Sequence, residues 1–561
     1  MKYTIGLDYG TNSVRAILVE IGSGRELSGE VWQYAHGNSG VIEDSQNPNL
    51  ARQHPEDYLT GARITMKAVV EKAQDEHGIN AADIIGIGVD TTGSTPMPVL
   101  KDNKPLVSDQ RFSDNKSALA WLWKDHTSTA EAEAITEAAA KLKPHYLSKV
   151  GGTYSSEWFW AKIWKALKVA PEVFEAAYTW IEIADWIPAV LCGVSEADAV
   201  KRGICAAGHK GLYHVDWGGY PEKDFLSTLD PALAELRDRL PGKVYSVQDE
   251  AGKLSEEWAR QTGLVPGTPV AVGAFDAHLG GVGSGIKPGT LVKIVGTSTC
   301  DMMVAPEDQE APDIKGIAGI VPGSILPGYY GLEAGQSAVG DIFNWFVNVI
   351  QPGGSEKGSH QALTAGAEKL GPGTNGLLAL DWHNGNRTVL VDQRLSGLIL
   401  GLSLQSTPAE IYRALVEATA FGARVIVERF EEYGQKVDEI LNCGGISVKN
   451  TMVMQIYADV MNRPMKISRS SQTPALGAAI AAAVVAGEEN GGYSGFEQAV
   501  EEMTGIMDTV FTPIPEHVKI YEKMYGLYKT LHDAFGTREW SGTLANVMKE
   551  LLDIRDRARM S

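Results

Sequence analysis

Residues 3–21 of the chain read YTIGLDYGTNSVRAILVEI. Within this stretch the apolar runs 3–7 and 14–21 flank the turn-forming residues 8–13, a pattern that predicts a β-hairpin. Glycine and small polar residues expose main-chain N–H groups and let an anion approach closely, so the turn is a candidate phosphate-binding site. An aspartate beside such a turn, here Asp8, is expected to hold Mg²⁺.

The pattern of an apolar strand followed by a polar turn recurs further along the chain. Residues 84–89, IIGIGV, are typical of a strand buried on both faces, and Asp90 follows them. Later copies run into Asp276, into Gly296-Thr297-Ser298 and into Gly444-Gly445. Open α/β sheets bind ligands beyond the carboxyl ends of their strands, so these turns predict a shared site. The repetition also predicts that the two halves of the chain are structural duplicates.

Glycines at residues 280–285 mark the predicted boundary between two domains, residues 1–278 and residues 279–561. In the second of these, Thr407-Pro408-Ala409-Glu410 predicts a helix start with a capping box. We expect Thr473-Pro474 to open an Ala-rich helix in the same way, and a helical tail to begin at about residue 513.

The region between residues 115 and 190 is predicted to be mostly helical, and residues 195–250 to be rich in loops. The helical region contains a cluster of tryptophans, which we interpret as core, with a sugar-stacking wall as the alternative. These tryptophans are Trp121, Trp123, Trp158, Trp160 and Trp164.

Composition excludes several classes of protein. The 561 residues include 50 basic and 70 acidic ones, and a net charge of −20 argues against nucleic acid and anionic membranes as partners. The four cysteines form no CxxC motif, so neither structural zinc nor a disulfide framework is expected. The longest apolar run, residues 475–486, is too short to span a bilayer, and the early charge at Asp8 argues against a signal peptide. A cytoplasmic protein is therefore expected.

Several enzyme motifs are absent from the sequence. Gly-Lys pairs at 242–243 and 252–253 are followed by Val and Leu, so the chain has no GxxxxGK[ST] phosphate loop. HExxH and GxSxG are also absent. Residues 371–376 satisfy GxGxxG, but they precede the strand-like run 377–380 instead of following a strand, so we predict a turn there and no dinucleotide site.

The turns at the strand ends resemble the phosphate motifs of the superfamily that contains sugar kinases, heat-shock ATPases and actin. Asp8-Tyr9-Gly10-Thr11, with Ser13 and Arg15, resembles the first phosphate motif, and Gly296-Thr297-Ser298 resembles the second. The resemblance implies two actin-like α/β domains (ribonuclease H-like, the ASKHA fold), each a mixed sheet flanked by helices, with ATP in the cleft between them.

Further segments are similar to the FGGY carbohydrate kinases within that superfamily. Gly444-Gly445 with Asn450 resembles their adenosine motif, residues 397–402 their C-terminal signature, and Gly273-Ala274-Phe275-Asp276 the segment with their catalytic aspartate. The resemblance covers residues 3 to about 490 and implies that Asp276 is the catalytic base and that Asp8 and Asp276 bind Mg²⁺. The implied nucleotide-binding residues are Gly10, Thr11, Asn12, Ser13, Arg15, Gly296, Thr297, Ser298, Gly444, Gly445 and Asn450.

Within this family the chain most resembles the ribulokinases, through residues 89–96, 207–210 and 331–337. The sugar-binding residues that this likeness implies are Asp90, Thr95, Met97, Lys210, Asp276 and Glu333. One departure concerns the W-x-D-x-R segment of many FGGY kinases, since residues 112–116 here read FSDNK. This argues against glycerol kinase and xylulokinase and leaves open a sugar contact by Asp114.

The resemblance implies a reaction that transfers the γ-phosphoryl group of MgATP to O5 of L-ribulose, in L-arabinose catabolism. The small sugar would lie against the first domain and ATP against the second, and a homodimer is compatible with the sequence. Two alternatives stay open. One is an FGGY kinase for xylulose, ribitol or gluconate. The other, from a different class, is an actin-like or heat-shock-type ATPase without a sugar substrate.

Overall fold

Two β-sheets, one in each half of the chain, form the framework of the molecule. The computed structural model describes residues 1–308, 313–352 and 359–560. Apart from short 3₁₀ turns, the elements of the first half are β1 Tyr3–Tyr9, β2 Ser13–Glu20, β3 Glu26–Gln33, β4 Ile42–Asp44, β5 Asn47–Gln53, α1 Pro55–His77, β6 Ile84–Thr91, β7 Pro96–Val99, β8 Ala120–Trp121, α2 Thr129–Leu142, α3 His145–Ser148, α4 Phe159–Val169, α5 Pro171–Ala176, β9 Thr179–Glu182, α6 Ile183–Leu191, α7 Ile204–Lys210, α8 Lys223–Leu229, α9 Pro231–Arg237, β10 Glu250–Lys253, α10 Glu256–Thr262, β11 Pro269–Ala271, β12 Ala274–Phe275 and α11 Asp276–Ser284.

The second half follows without a break in the chain. Its elements, apart from short 3₁₀ and π-helical turns, are β13 Thr290–Val295, β14 Thr299–Pro306, β15 Gly319–Pro322, β16 Tyr329–Ala334, α12 Gly340–Trp345, α13 His360–Glu368, β17 Leu378–Leu380, β18 Leu398–Leu400, α14 Pro408–Glu432, β19 Glu439–Cys443, α15 Gly445–Lys449, α16 Thr451–Met461, β20 Met465–Ile467, α17 Thr473–Ala486, α18 Phe496–Met503, α19 Pro515–Gly536 and α20 Val547–Met560.

The two large sheets share one topology. The first has the strand order β10-β11-β6-β1-β2-β3, and the second has the order β15-β16-β14-β13-β19-β20. In both, a central strand (β1 or β13) pairs antiparallel with the next strand in the chain and parallel with a later one, β6 or β19. The orders β3-β2-β1-β6-β11 and β16-β14-β13-β19-β20 therefore correspond strand by strand. This confirms the predicted structural duplication.

The opening hairpin and the buried strand are confirmed. Strands β1 and β2 pair antiparallel with Asp8 opposite Arg15. All residues of β6 except Ile85 are buried, because β6 lies between β1 and β11 and packs against helices α6 and α17. The sequence of a strand that is buried on both faces is a nearly continuous run of apolar residues.

The glycine-rich residues 280–285 do not form a linker. Most of them belong to α11, a buried helix that packs against α17 of the second half. A Cβ atom on Gly283 would lie 2.0 Å from the carbonyl oxygen of Thr473, and one on Gly477 would lie 1.9 Å from that of Leu279. The missing side chains therefore let the two helices approach closely. The domain boundary after residue 278 stays a prediction.

Most of the helix signals are confirmed, with one exception. Thr407 and Glu410 form the predicted capping box at the start of α14, and the tail forms α19 and α20. The cap expected at Thr473 is wrong, because Thr473 is already helical and Gln472 occupies the N-cap position without a side-chain bond. Among the described residues, no helix has both the length and the apolar character needed to cross a bilayer.

The prediction of a loop-rich region at residues 195–250 is confirmed in part, because most of these residues lie outside α-helices and strands, but the three short helices α7, α8 and α9 also lie there. Proline starts one of these helices instead of breaking it: Pro231 follows Asp230, whose side chain caps α9. The core interpretation of the tryptophan cluster is confirmed for the four members that lie buried together, Trp121, Trp158, Trp160 and Trp164. Trp123 is half-buried, and its Nε1 donates to Thr11 Oγ1 at 3.0 Å.

Candidate active site

Three carboxylates meet at the carboxyl ends of the first sheet's strands. Asp8 and Asp90 lie side by side because β1 and β6 run parallel in a register that pairs these two residues. Asp276 is the first residue of α11 and follows β12, whose Phe275 pairs with Thr91 of β6. The sequence therefore brings Asp8, Asp90 and Asp276 together through strand pairing, from positions far apart in the chain.

Burial raises the pKa values of all three groups, and neighbouring carboxylates add to the rise at Asp90 and Asp276. Burial raises the pKa of Asp8, although Arg15 Nη1 lies 3.2 Å from Asp8 Oδ2 and opposes this shift. Burial and then the charges of Asp8 and Asp276 raise the pKa of Asp90 well above its usual range. Burial and then the Asp8 charge raise the pKa of Asp276 to about 7. A cluster of this kind is stabilised by a cation or by proton donors.

The donor set suits a magnesium ion. Both carboxylate oxygens of Asp90 are buried and have no hydrogen-bond partner among the described residues. Mg²⁺ prefers oxygen ligands, and it is commonly bound by one or two carboxylates while it keeps several waters. Asp8, Asp90 and Asp276 provide such oxygens, so the residues present fit the ion.

A second charged group flanks Asp276. Lys210, at the end of α7, lies with its Nζ 2.9 and 3.1 Å from the two carboxylate oxygens of Glu333 on β16. The same Nζ lies 5.8 Å from the ring centre of Phe275, the residue before Asp276. Burial disfavours the charge on Glu333, but Lys210, His209 and His278 together outweigh it and hold the pKa of Glu333 well below its usual range. An ammonium and a carboxylate thus lie beside Asp276 with opposite hydrogen-bonding roles.

A buried lysine and a buried glutamate fix the loop after Asp90. Lys162 Nζ donates to the carbonyl oxygens of Ser94 at 2.8 Å and Leu122 at 2.9 Å. Glu182 accepts from the Ser94 hydroxyl and from Thr95 N. The sequence analysis missed this pair; the signal for Lys162 is a single charged residue within the apolar stripe of helix α4.

The first turn is held by bonds within the first half. Gly10 N donates to Ser13 O at 2.9 Å, and Gln53 Nε2 donates to Thr11 O at 2.8 Å. Asn12 Nδ2 donates to the carbonyl oxygen of Ser39 at 2.6 Å. The turn is therefore rigidly placed next to Asp8, as a phosphate-binding turn requires.

A cavity of about 840 Å³ opens at the carboxyl ends of the second sheet's strands, within the size range of cofactor pockets. Predicted nucleotide-binding residues that line it are Gly296, Thr297, Gly445 and Asn450. Lining residues that the sequence analysis missed are Gly340, Asp341, Phe343, Asn344, His360, Gln361, Thr364, Ala365, Glu368, Tyr412, Ile446, Lys449 and Thr451. Most of these lie on α12, α13 and α15, so only the tertiary packing of these helices reveals them.

Two other predicted residues are chain neighbours of lining residues of this cavity, Ser298 after Thr297 and Gly444 before Gly445. Ser298 O accepts from Gly296 N at 3.0 Å and closes the turn after β13. Gly444 has a φ of +92°, and a Cβ atom on it would lie 2.5 Å from Val295 O. Glycine is therefore required at residue 444 by both backbone conformation and space.

Three residues of the predicted sugar-binding region make no hydrogen bond or ion pair with Asp276, Lys210 or Glu333 among the described residues. Met97 is fully buried in the hydrophobic core of the first half, where it pairs with Ile181 across β7 and β9. Thr95 is buried and is held by Glu182. Asp114 is exposed. Their roles in sugar binding stay predictions.

Comparison with known proteins gives a consistent result. The profile of the N-terminal domain of the FGGY family of carbohydrate kinases matches residues 3–283, and that of the C-terminal domain matches residues 291–486. The ribulokinase of Halalkalibacterium halodurans is 45% identical over 95% of each chain, and that of Geobacillus thermodenitrificans is 43% identical over 100% of this chain and 98% of its own. The solved structure of a ligand-bound xylulose kinase from Lactobacillus acidophilus is 19% identical and superposes with a TM-score of 0.78 over 95% of this chain and 98% of its own. This likeness confirms the expected two-domain actin-like fold.

Proposed function

Because the chain belongs to the FGGY family of carbohydrate kinases, we propose that it transfers the γ-phosphoryl group of ATP to O5 of L-ribulose. The choice of sugar is supported by full-length relatives named ribulokinase at 43% and 45% identity. An ATPase without a sugar substrate is not favoured, because the matches to the family cover both of its kinase domains. Since ATP is available in the cytoplasm, we place the activity there.

The observation that carries this proposal is the Lys210–Glu333 pair beside Asp276. In our proposal Lys210 donates to an oxygen of the sugar and Glu333 accepts from a sugar hydroxyl. Together they would turn the reacting hydroxyl toward Asp276. A substrate held by one donor and one acceptor in this way loses little freedom in reaching the transition state.

Asp276 acts as the general base in this proposal. Its carboxylate would accept the proton of the attacking hydroxyl, and its pKa of about 7 suits this role better than the usual value near 4. Phosphoryl transfer has a loose transition state, so positioning and charge neutralisation matter more than strong basicity. The raised pKa adds the ability to take the proton at neutral pH.

Asp8 and Asp276 would hold magnesium, and Asp90 lies beside Asp8 on the neighbouring strand β6. When bound, the ion would neutralise phosphate charge next to the turn at residues 10–13. ATP would lie with its adenosine in the 840 Å³ cavity and its phosphates between the turn at Gly296 and the turn at Gly10. The bare backbone at Gly445 would allow close contact with the nucleotide.

A coupled ADP-release assay over a sugar panel tests the proposal. The panel contains L-ribulose, D-xylulose, ribitol and D-gluconate, with a sugar-free control. We expect the highest kcat/KM with L-ribulose, and a product phosphorylated at O5 as read by ³¹P–¹H NMR. A preference for another sugar would contradict the substrate assignment and leave the kinase family intact. ATP hydrolysis that no sugar stimulates would contradict the kinase reaction itself.

A further inference from the structure

The Glu333 carboxylate, which the second half contributes, lies among three basic side chains of the first half. Besides Lys210, His209 Nδ1 lies 3.3 Å and His278 Nε2 lies 3.5 Å from Glu333 Oε2. The two imidazole rings pack against each other with their centres 4.5 Å apart. Neither histidine has a role in the proposed reaction.

Both histidines have unused hydrogen-bonding capacity in the interior. His209 is 0% and His278 is 1% exposed. His209 Nδ1 and both ring nitrogens of His278 lack a well-aligned partner among the described residues. Leaving buried polar atoms unpaired is costly, so such atoms call for a function or a partner. One of these nitrogens on each ring lies within 3.5 Å of Glu333 Oε2, an oxygen that can accept a hydrogen bond.

The Ser324 hydroxyl lies between two acceptors, His209 Nε2 at 2.9 Å and Val321 O at 3.0 Å. A carboxylate only accepts hydrogen bonds, so a bond to Glu333 needs the proton on His209 Nδ1, and in this tautomer the Ser324 hydroxyl donates to Nε2 in place of Val321 O. The ring is also confined, because a Cβ atom on Gly319 would lie 2.0 Å from His209 Nδ1.

We infer that His209 and His278 are positioning residues that orient Glu333 for sugar binding, His209 through Nδ1–H and His278 through Nε2–H. The inference rests on the proposed function, in which Glu333 accepts from a sugar hydroxyl. Both rings lie behind the carboxylate in the interior and do not touch the sugar. Their loss therefore affects the KM for the sugar and leaves the KM for ATP unchanged.

A crossed set of substitutions tests this inference. The amide nitrogen of Asn lies near the place of a histidine Nδ1, and that of the longer Gln lies near the place of Nε2. His209→Asn and His278→Gln should keep the sugar KM within about threefold of the wild-type value. His209→Gln and His278→Asn should raise it about tenfold or more, as expected for the loss of a hydrogen bond to a charged group. All four variants should keep the wild-type KM for ATP.

Ser324→Ala provides a second route that does not alter either ring. Without the hydroxyl, His209 is no longer held with its proton on Nδ1, so the sugar KM should rise several-fold. In the His209→Asn background the same substitution should have no further effect, because an amide needs no tautomer selection. His36→Asn and His36→Gln are the controls, since His36 lies at the surface bound to Asp57. Both controls should leave the sugar KM unchanged.

Three outcomes would overturn the inference. One is Gln surpassing Asn at both positions, which indicates that the rings only fill space. Another is a rise in the KM for ATP of the histidine variants that equals the rise in their sugar KM. The third is an unchanged sugar KM in Ser324→Ala, which folds most readily because it loses a single hydroxyl. The variants are assayed with the sugar that the wild-type protein turns over in the panel, so a wrong sugar assignment is recognised there and separately.

Discussion

The two sheets share a strand order but end in different chemistry. In the first sheet the central parallel pair β1 and β6 carries Asp8 and Asp90 one residue before the strand ends. In the second sheet the corresponding pair β13 and β19 runs into Gly296 and Gly444. The same strand arrangement thus presents carboxylates in the first half and glycine backbone in the second half. The duplicated strand order therefore supplies the framework. In our proposal, the residues at or just beyond the strand ends assign metal and sugar to the first half and nucleotide to the second.

The two halves also differ in whether their buried charges are paired with opposite charges. In the second sheet Lys293 lies 2.8 Å from Asp301, and both are almost fully buried, so each charge is compensated. In the first sheet Asp8, Asp90 and Asp276 crowd together, and Arg15 is the cation bound directly to one of them. A compensated pair serves the folded structure, whereas a carboxylate cluster of this kind is ready to bind a cation.

The carboxylate side of the comparison is tested by Asp276→Asn. Asparagine keeps the shape and removes the base, so kcat should fall about 10³-fold, within the range for loss of general base catalysis. The KM values for sugar and ATP should change by less than about threefold, measured by coupled ADP release. Asp75→Asn, at an exposed carboxylate of α1, is the control. A kcat near the wild-type value for Asp276→Asn would remove the base from the mechanism.

The bare-backbone side is tested by Gly444→Ala. The added Cβ would meet Val295 O at 2.5 Å on a residue with φ of +92°. We expect the KM for ATP to rise about tenfold or more with the sugar KM unchanged. Gly434→Ala is the matched control, because Gly434 has φ of +81° but no atom within 4 Å of the added Cβ. Equal effects of both substitutions on the KM for ATP would show that backbone strain is responsible, and not the close contact of the added Cβ at residue 444.

The pH dependence gives a further distinction between the halves. Asp276 must be ionised to act as a base, so kcat/KM for the sugar should rise with pH and level off above the pKa of about 7. Below that pH the value should fall about tenfold per unit. Raising the Mg²⁺ concentration should shift this limb to lower pH, because a cation favours the carboxylate form. A flat profile between pH 5 and 8 would contradict the raised pKa.

The smallest expected effect concerns the tail helix α19, which supports the second half. Tyr528 donates to Asp381 Oδ1 at 2.8 Å, and both are buried. Tyr528→Phe leaves Asp381 Oδ1 without this donor, while Gln336 Nε2 still donates to Oδ2 at 2.8 Å. The substitution should lower the free energy of unfolding by about 1–3 kcal/mol, measured by urea denaturation. Tyr329→Phe is the control, because its hydroxyl bonds to Glu497 at the surface. A change of the same size in both would contradict the role of burial.

Local patterns were enough to predict the strand ends correctly. Asp8, Gly296 and Gly444 each follow an apolar run directly, and a turn beyond a strand depends on residues that are neighbours in the chain. The glycines of α11 were misread for a related reason. Glycine serves equally in a turn and at a close helix contact, because both uses depend on the missing Cβ, and the contact partner α17 lies far along the chain.

Strand periodicity and turn chemistry, which are local, were readable in the linear chain and identified the duplicated α/β framework and its polar strand ends. The folded molecule alone established which side chains meet: Lys210 with Glu333 across 123 residues, Lys162 with Ser94 across 68, and both histidines with Glu333. These contacts depend on burial and on hydrogen-bond geometry between distant segments. No short-range pattern encodes either, because the energy of such a contact arises only when the chain has packed.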